Sequence, residues 1–185
     1  MDKVRIAVIG NGIIGESHIS GYQSIPEAEV VAICDINEER LNAKADMYNV
    51  PQERRFTKLE DRVALPEIDT VSVCTWNSAH APCAIMALNA GKHVLCEKPM
   101  ALTVDETDLM LTVMKETGKK LMIGQVCRCT PAFVLAKQRI DEVRSWKRIV
   151  DIVKPYQKLH DKACSEVFNL GISLYVKAYM IGDSV

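Results

Sequence analysis

The chain has 185 residues, with 23 Lys and Arg against 24 Asp and Glu, a formal net charge of −1 and 48% hydrophobic residues. That length suits one full domain, or one domain and part of a second, and allows roughly 70% of the unfolded surface to be buried without staples. Near-neutral charge with scattered basic residues removes the general electrostatic case for nucleic acid or an anionic membrane as partner, and charged residues break every apolar run short of the roughly 18 residues a membrane helix needs. Seven cysteines, several inside apolar runs, suit reduced, packed thiols rather than a disulfide framework. The apolar run Ile6 to Ile9 is too short for a signal peptide, so a cytoplasmic location is expected. Composition leaves self-association open.

In chain order, short apolar runs alternate with longer amphipathic stretches, the pattern of strand-helix-strand units around a parallel sheet. Strands are predicted at about Val4 to Ile9, Val30 to Cys34, Thr70 to Cys74, His93 to Cys96 and Lys120 to Gln125. Helices are predicted at Ile13 to Ser24, at Asn37 to Tyr48 with Asn37 as cap, at Ala81 to Ala90, and at Val104 to Thr117. Thr103 and Glu106 form a capping box for the last of these, and Gly118 ends it. The stripe Leu109, Met110, Val113, Met114 on that helix reads as core. The runs Ile6 to Ile9, Val71 to Cys74 and Leu121 to Ile123 are apolar on both faces, as in a sheet covered by helices on both sides. After a helix at Pro131 to Val143 the rhythm changes, with a charged segment at Arg144 to Lys162 and an apolar one at Val167 to Ile181. A domain boundary is expected near Cys127 to Pro131, dividing the chain into 1–126 and 127–185.

Gly10-Asn11-Gly12-Ile13-Ile14-Gly15 follows the first strand and opens the first helix. Gly10 permits the tight turn, Gly12 lets the backbone approach a pyrophosphate, and Gly15 lets helix and strand pack closely. The pyrophosphate would meet backbone N–H groups at the positive helix end. Asp35 ends the second strand, twenty residues beyond Gly15. There it can accept from both ribose hydroxyls and repel a 2′-phosphate, and Ile36 and Asn37 supply no Arg to offset it, so NAD is favoured over NADP. His18, a turn past Gly15, reads as a packing or helix-surface residue more readily than a cofactor contact.

Gly91 to Met100 leads an apolar strand into Glu97-Lys98-Pro99. Strand carboxyl ends face the ligand crevice of an open α/β sheet, so Glu97 and Lys98 are expected to point towards the cofactor. A lysine beside a nicotinamide can bind a substrate hydroxyl and exchange a proton as hydride moves. Pro99 is a candidate cis proline. Cys127 and Cys129 would lie on one face of a strand, and His160 and Cys164 at helical spacing. With nothing to bring the pairs together, incidental cysteines are the better reading and no metal site is expected.

Taken in order, Gly10 to Gly15, Asp35, the segment Cys74-Thr75-Trp76-Asn77-Ser78-Ala79-His80, and Gly91 to Met100 resemble the glucose-fructose oxidoreductase, inositol dehydrogenase and MocA (Gfo/Idh/MocA) family over about residues 3 to 131. The resemblance implies an α/β protein: a doubly wound Rossmann sheet binding NAD or NADP, then an α/β domain with an open sheet carrying the substrate pocket. It implies an oxidoreductase acting on sugars, inositols and related polyols. By position it places Thr75, Asn77 and His80 along the nicotinamide side, with Glu97 orienting that end of the cofactor. Lys98 would be the catalytic lysine, and Arg128 would lie near the substrate. Trp76 stands where the family commonly has proline, which is expected to reshape the cofactor pocket.

Family members are about twice this length, a two-domain scale, so 127–185 reads as the truncated start of the substrate domain, an incomplete α/β or helical segment. Asn169 and Ser173 stand where the family's Asp and His would be, and neither side chain serves as an acid or base near neutral pH. Two functions therefore stay open: an NAD-dependent oxidoreductase with Lys98 as proton-transfer residue, or a dinucleotide-binding protein without turnover, acting as a sensor, partner subunit or remnant.

Overall fold

A computed structural model of the chain describes residues 3–58 and 65–141. Six strands form one parallel sheet in the order β3-β2-β1-β4-β5-β6. They are β1 (Val4–Ile9), β2 (Ala28–Cys34), β3 (Arg55–Phe56), β4 (Thr70–Val73), β5 (His93–Cys96) and β6 (Leu121–Ile123). The helices are α1 (Ile13–Gln23), α2 (Glu38–Met47), α3 (His80–Asn89), α4 (Val104–Thr117) and α5 (Pro131–Asp141).

The sheet is buried on both faces because its central strands, β1 and β4, are apolar at most positions, with Arg5, Thr70 and Ser72 the exceptions. Ile6 and Val8 pack with Ile19, Tyr22, Leu41 and Ala45 beneath α1 and α2. Ala7 and Ile9 point the other way, into a second cluster with Val71, Val73, Ala84, Leu88, Met110 and Val113 from α3 and α4. One strand thus supplies both layers through its two-residue side-chain period. The chain winds outward from β1 in both directions. The order therefore reverses between β1 and β4, and a crevice opens at their carboxyl ends.

Local chemistry sets the helix ends as the sequence suggests. The Asn37 side chain accepts the Arg40 N–H at 2.8 Å. Thr103 and Glu106 close a reciprocal capping box, and Gly118 ends α4 at φ +64°, in the left-handed region.

Several details differ from expectation. β2 begins at Ala28, since pairing with Val4 extends it. β3 was not anticipated: two residues carry no periodicity, and Arg55 and Phe56 become a strand only by pairing with Ile33 and Cys34. The last strand stops at Ile123 and is only half-buried, as befits an edge. Leu109 is exposed, because α4 buries only the narrower face of Met110 and Val113. Cys127 and Cys129 lie on a 3₁₀ turn, Val126–Cys129, not on a strand. The expectations for Arg144 to Lys162 and Val167 to Ile181, and for His160, Cys164, Asn169 and Ser173, lie outside the described residues. No helix among the described residues is long and apolar enough to cross a membrane.

Candidate functional site

Five parallel strands deliver the chemistry-bearing residues to one edge of the sheet. Gly10 follows β1, Asp35 follows β2, Thr75 follows β4, Glu97 and Lys98 follow β5, and Gly124 follows β6.

The glycine turn has the geometry its sequence implies. Gly10 sits at φ +83°, and a Cβ there would lie 2.6 Å from the Cys74 carbonyl oxygen. A Cβ on Gly15 would lie 1.8 Å from the Gly10 carbonyl oxygen, so only glycine lets α1 start this close to β1. Around a Cβ on Gly12 nothing would lie within 4 Å, leaving that backbone open to the crevice. No side chain caps α1, and Ile13 and Ile14 beside its first turn are exposed. Asn11 is fully buried, yet its side-chain Nδ2 and Oδ1 have no partner among the described residues. An uncapped helix start, an open backbone and an orphaned amide fit a phosphate-bearing ligand.

The Asp35 side chain is buried and ties the turn to α2. Its Oδ2 accepts from Asn11 N (2.7 Å) and Arg40 Nε (2.9 Å), and its Oδ1 from Asn37 N (2.8 Å) and Arg40 Nη2 (2.6 Å). Burial pushes the carboxyl up, but the bonds from Arg40, Asn37 and Asn11 and the charge of Arg40 together hold it below the ordinary carboxylate range. Ile36 and Asn37, as expected, supply no Arg to offset Asp35. The offset comes from five residues on, where the first turn of α2 swings Arg40 back over the strand end.

At the other end of the crevice the Lys98–Pro99 peptide is cis and Lys98 is exposed. The Glu97 side chain is buried at that edge. Its Oε1 lies 3.0 Å from His18 Nε2, and its Oε2 accepts the Lys98 N–H at 3.2 Å. A Cβ on Gly124 would come within 2.9 Å of Oε1, so that glycine makes room for the carboxylate. The chain continues inward, with Ser72 Oγ 2.8 Å from His18 Nδ1 and Tyr22 O–H donating to Ser72 Oγ at 3.1 Å. A carboxylate only accepts, so Nε2–H donates to Glu97, and the Ser72 hydroxyl, which can donate or accept, meets Nδ1. Burial pushes the Glu97 carboxyl up, yet His18, by hydrogen bond and charge, and then the Lys98 N–H and ammonium, hold it below the ordinary range.

Thr75 is half-buried, and Asn77 and Trp76 are exposed. His80 is buried, with Nδ1 2.6 Å from the Pro99 carbonyl oxygen and Nε2 3.1 Å from that of Thr75. Its ring is enclosed between the Thr75 and Pro99 loops. Arg128 is exposed on the 3₁₀ turn beyond β6. Burial pushes the Cys96 thiol up to about 12 and the Cys74 thiol higher still, so both stay protonated packing groups. No three His, Cys, Asp or Glu among the described residues gather as a metal cluster.

Sequence reasoning missed Arg40, Ser72, Tyr22 and Gly124. Only Tyr22 left a signal, at helical i+4 spacing from His18.

A doubly wound parallel sheet with a glycine turn at its switch point and an acid ending the second strand defines a dinucleotide-binding Rossmann domain. The chain belongs to the Gfo/Idh/MocA oxidoreductases, a family with an NAD-binding Rossmann fold whose pattern matches residues 4–125. It is 31% identical over 140 residues to an inositol 2-dehydrogenase of Salmonella paratyphi B, covering 75% of this chain and 41% of that protein. An uncharacterised oxidoreductase of Rhizobium meliloti is 31% identical over 191 residues, covering 98% of this chain and 57% of its own. Among solved structures, the WlbA dehydrogenase from Bordetella pertussis in complex with NADH and UDP-GlcNAcA superposes with a TM-score of 0.70 at 32% identity, covering 76% of this chain and 43% of that one. The chain thus spans about two fifths of the length of the inositol dehydrogenases it matches.

Proposed function

We propose that residues 1–126 form the cofactor domain of an NAD-dependent oxidoreductase acting on the CH–OH group of a sugar or polyol, and that 127–185 begin its substrate domain. The observation that carries the reading is the uncapped glycine turn with its orphaned Asn11 amide, on the same sheet edge as exposed Lys98. The names of the inositol 2-dehydrogenase and sugar-nucleotide-bound relatives support the substrate class.

Gly10, Asn11, Gly12, Ile13, Ile14 and Gly15 would hold the pyrophosphate, Asp35 the adenosine ribose, and Thr75 and Asn77 the nicotinamide side. When bound, the nicotinamide supplies a hydride acceptor or donor. Lys98 would bind the substrate hydroxyl and exchange its proton. Glu97 and His80 would act through the backbone, Glu97 by holding the Lys98 N–H and His80 by filling the space between the Thr75 and Pro99 carbonyls and donating its one ring N–H there. Arg128 would meet the substrate. A cytoplasmic location and self-association belong to the same proposal, the latter checked by light scattering.

A second reading, dinucleotide binding without turnover, is favoured by Asn169 and Ser173 in place of an acid and a base. Calorimetry with NAD and NADH on the intact chain, followed by an absorbance screen of inositols and sugars with wild type and Lys98→Ala, separates the two. Turnover abolished in Lys98→Ala supports the oxidoreductase. Binding without turnover on any of them supports the second reading, and no binding refutes both.

A further inference from the structure

Six cysteines lie among the described residues, and burial sorts them. Cys34, Cys74 and Cys96 are buried and Cys83 is half-buried, whereas Cys127 is exposed and Cys129 half-buried on the 3₁₀ turn Val126–Cys129. With about 3.8 Å between consecutive Cα atoms, three residues per turn and a rise of about 2.0 Å per residue, Cα atoms two residues apart on such a turn lie about 5 Å from each other, inside the roughly 4.4–6.8 Å that a disulfide spans. Their side chains leave the turn about 120° apart, so a bridge closes only if the backbone between them rotates. Two backbone bonds oppose that rotation, Arg128 N–H to the Gln125 carbonyl at 2.9 Å and Thr130 N–H to the Cys127 carbonyl at 3.3 Å. The second is long and spans the pair, so it is the one that yields. Arg128 stands between the two thiols and has to move with them.

We propose that Cys127 and Cys129 form a reversible dithiol–disulfide site for peroxide, and that closing the bridge reshapes the turn that carries Arg128. Any effect on substrate rests on the reading of Arg128 as a substrate residue; the thiol chemistry does not. The exposed Cys127 sulfur attacks one peroxide oxygen and the O–O bond breaks, giving a sulfenic acid and a water. The Cys129 sulfur then attacks the Cys127 sulfur, the S–S bond forms and the S–O bond breaks, and the oxygen leaves as a second water with the Cys129 proton. Two thiols lose two electrons and one peroxide gains them. Because the closed ring strains the backbone, the bridge is of the labile kind that two glutathione thiols reopen, leaving as oxidised glutathione.

The test treats the reduced intact chain, as wild type, Cys127→Ser and Cys129→Ser, with hydrogen peroxide and locates the products by peptide mass mapping. Wild type should lose two hydrogens in the peptide that spans 127–129 and regain them in glutathione, while Cys34, Cys74 and Cys96 stay thiols. Cys129→Ser should stop at a sulfenic acid on Cys127, trapped by dimedone, and Cys127→Ser should leave Cys129 a thiol at the same peroxide dose. Amide hydrogen exchange should quicken across 126–130 in the bridged form and stay as it was in β1 and β5. A wild-type Cys127 that does not react, that goes on to the sulfinic acid without a bridge, or that bridges to another cysteine or a second copy overturns the pairing. Unchanged exchange across 126–130 in the bridged form overturns the movement of the turn. Calorimetry with NADH on the same samples keeps this apart from the dinucleotide reading: no NADH binding by the reduced chain refutes that reading and leaves the thiol pair standing.

Discussion

Removing the imidazole in His18→Ala should unstitch the buried chain Tyr22–Ser72–His18–Glu97. The Nε2–H bond to the Glu97 carboxylate, at 3.0 Å with both side chains under a tenth exposed, is a bond to a charged group worth about 1.5–3 kcal/mol. The Ser72 bond at 2.8 Å adds about 0.5–1.5 kcal/mol, and the emptied ring volume about 1 kcal/mol more. The sum is about 3–5 kcal/mol, a large share of the roughly 5–15 kcal/mol that holds a domain folded. At about 2–4 °C per kcal/mol for a chain this size, Tm should fall by roughly 6–20 °C in circular-dichroism melts at neutral pH. His18→Gln, whose amide can still donate to Glu97, should recover part of the loss. In a double-mutant cycle, His18→Ala should cost at least about 1 kcal/mol less in a Glu97→Gln background, where no buried carboxylate is left unpartnered. A Tm loss below about 3 °C, or strict additivity in the cycle, would refute the reasoning.

The two glycines of the turn should part company. Gly12→Ala adds a methyl that meets nothing in the chain, so Tm should stay within about 2 °C while NADH affinity in calorimetry falls about tenfold or more, because the methyl occupies the pyrophosphate's approach. Gly15→Ala forces α1 off the Gly10 carbonyl, so binding and about 1–3 kcal/mol of stability should be lost together in urea titration. Asp35, Asp69 and Glu97 all have carboxyls held below their ordinary values of 3.8, 3.8 and 4.5. A depressed folded pKa gives stability that is present above the unfolded value and lost as pH falls through the folded one. Urea midpoints should therefore be flat with respect to these groups above about pH 5 and drop below about pH 4, and Asp69→Asn should make the drop shallower. Thr103→Ala removes the cap of α4 and should cost about 1 kcal/mol, read as a Tm fall of about 2–4 °C.

The sequence by itself determined what depends on near neighbours. The apolar runs of β1, β4 and β5 had to be strands of a sheet covered on both sides, since no exposed face tolerates Ile6 to Ile9. Gly10 and Gly15 had to make a turn that admits no Cβ, and Asn37, Thr103 and Gly118 marked helix ends because capping is a bond within three or four residues. Tertiary structure decided what depends on distance across the sheet. Glu97 follows β5 in sequence, but its buried partners, Gly124 just past β6 and His18 on α1, are brought to it only by the fold. His80 is enclosed because the Pro99 and Thr75 carbonyls converge on both its nitrogens. Arg40 reaches Asp35 only because α2 folds back over the end of β2. β3 is a strand only because β2 offers it an open edge. Periodicity and capping act over a few residues of chain and can be read along it. A buried charge takes its direction from whichever partners the fold brings within about 3 Å, and no local pattern encodes them.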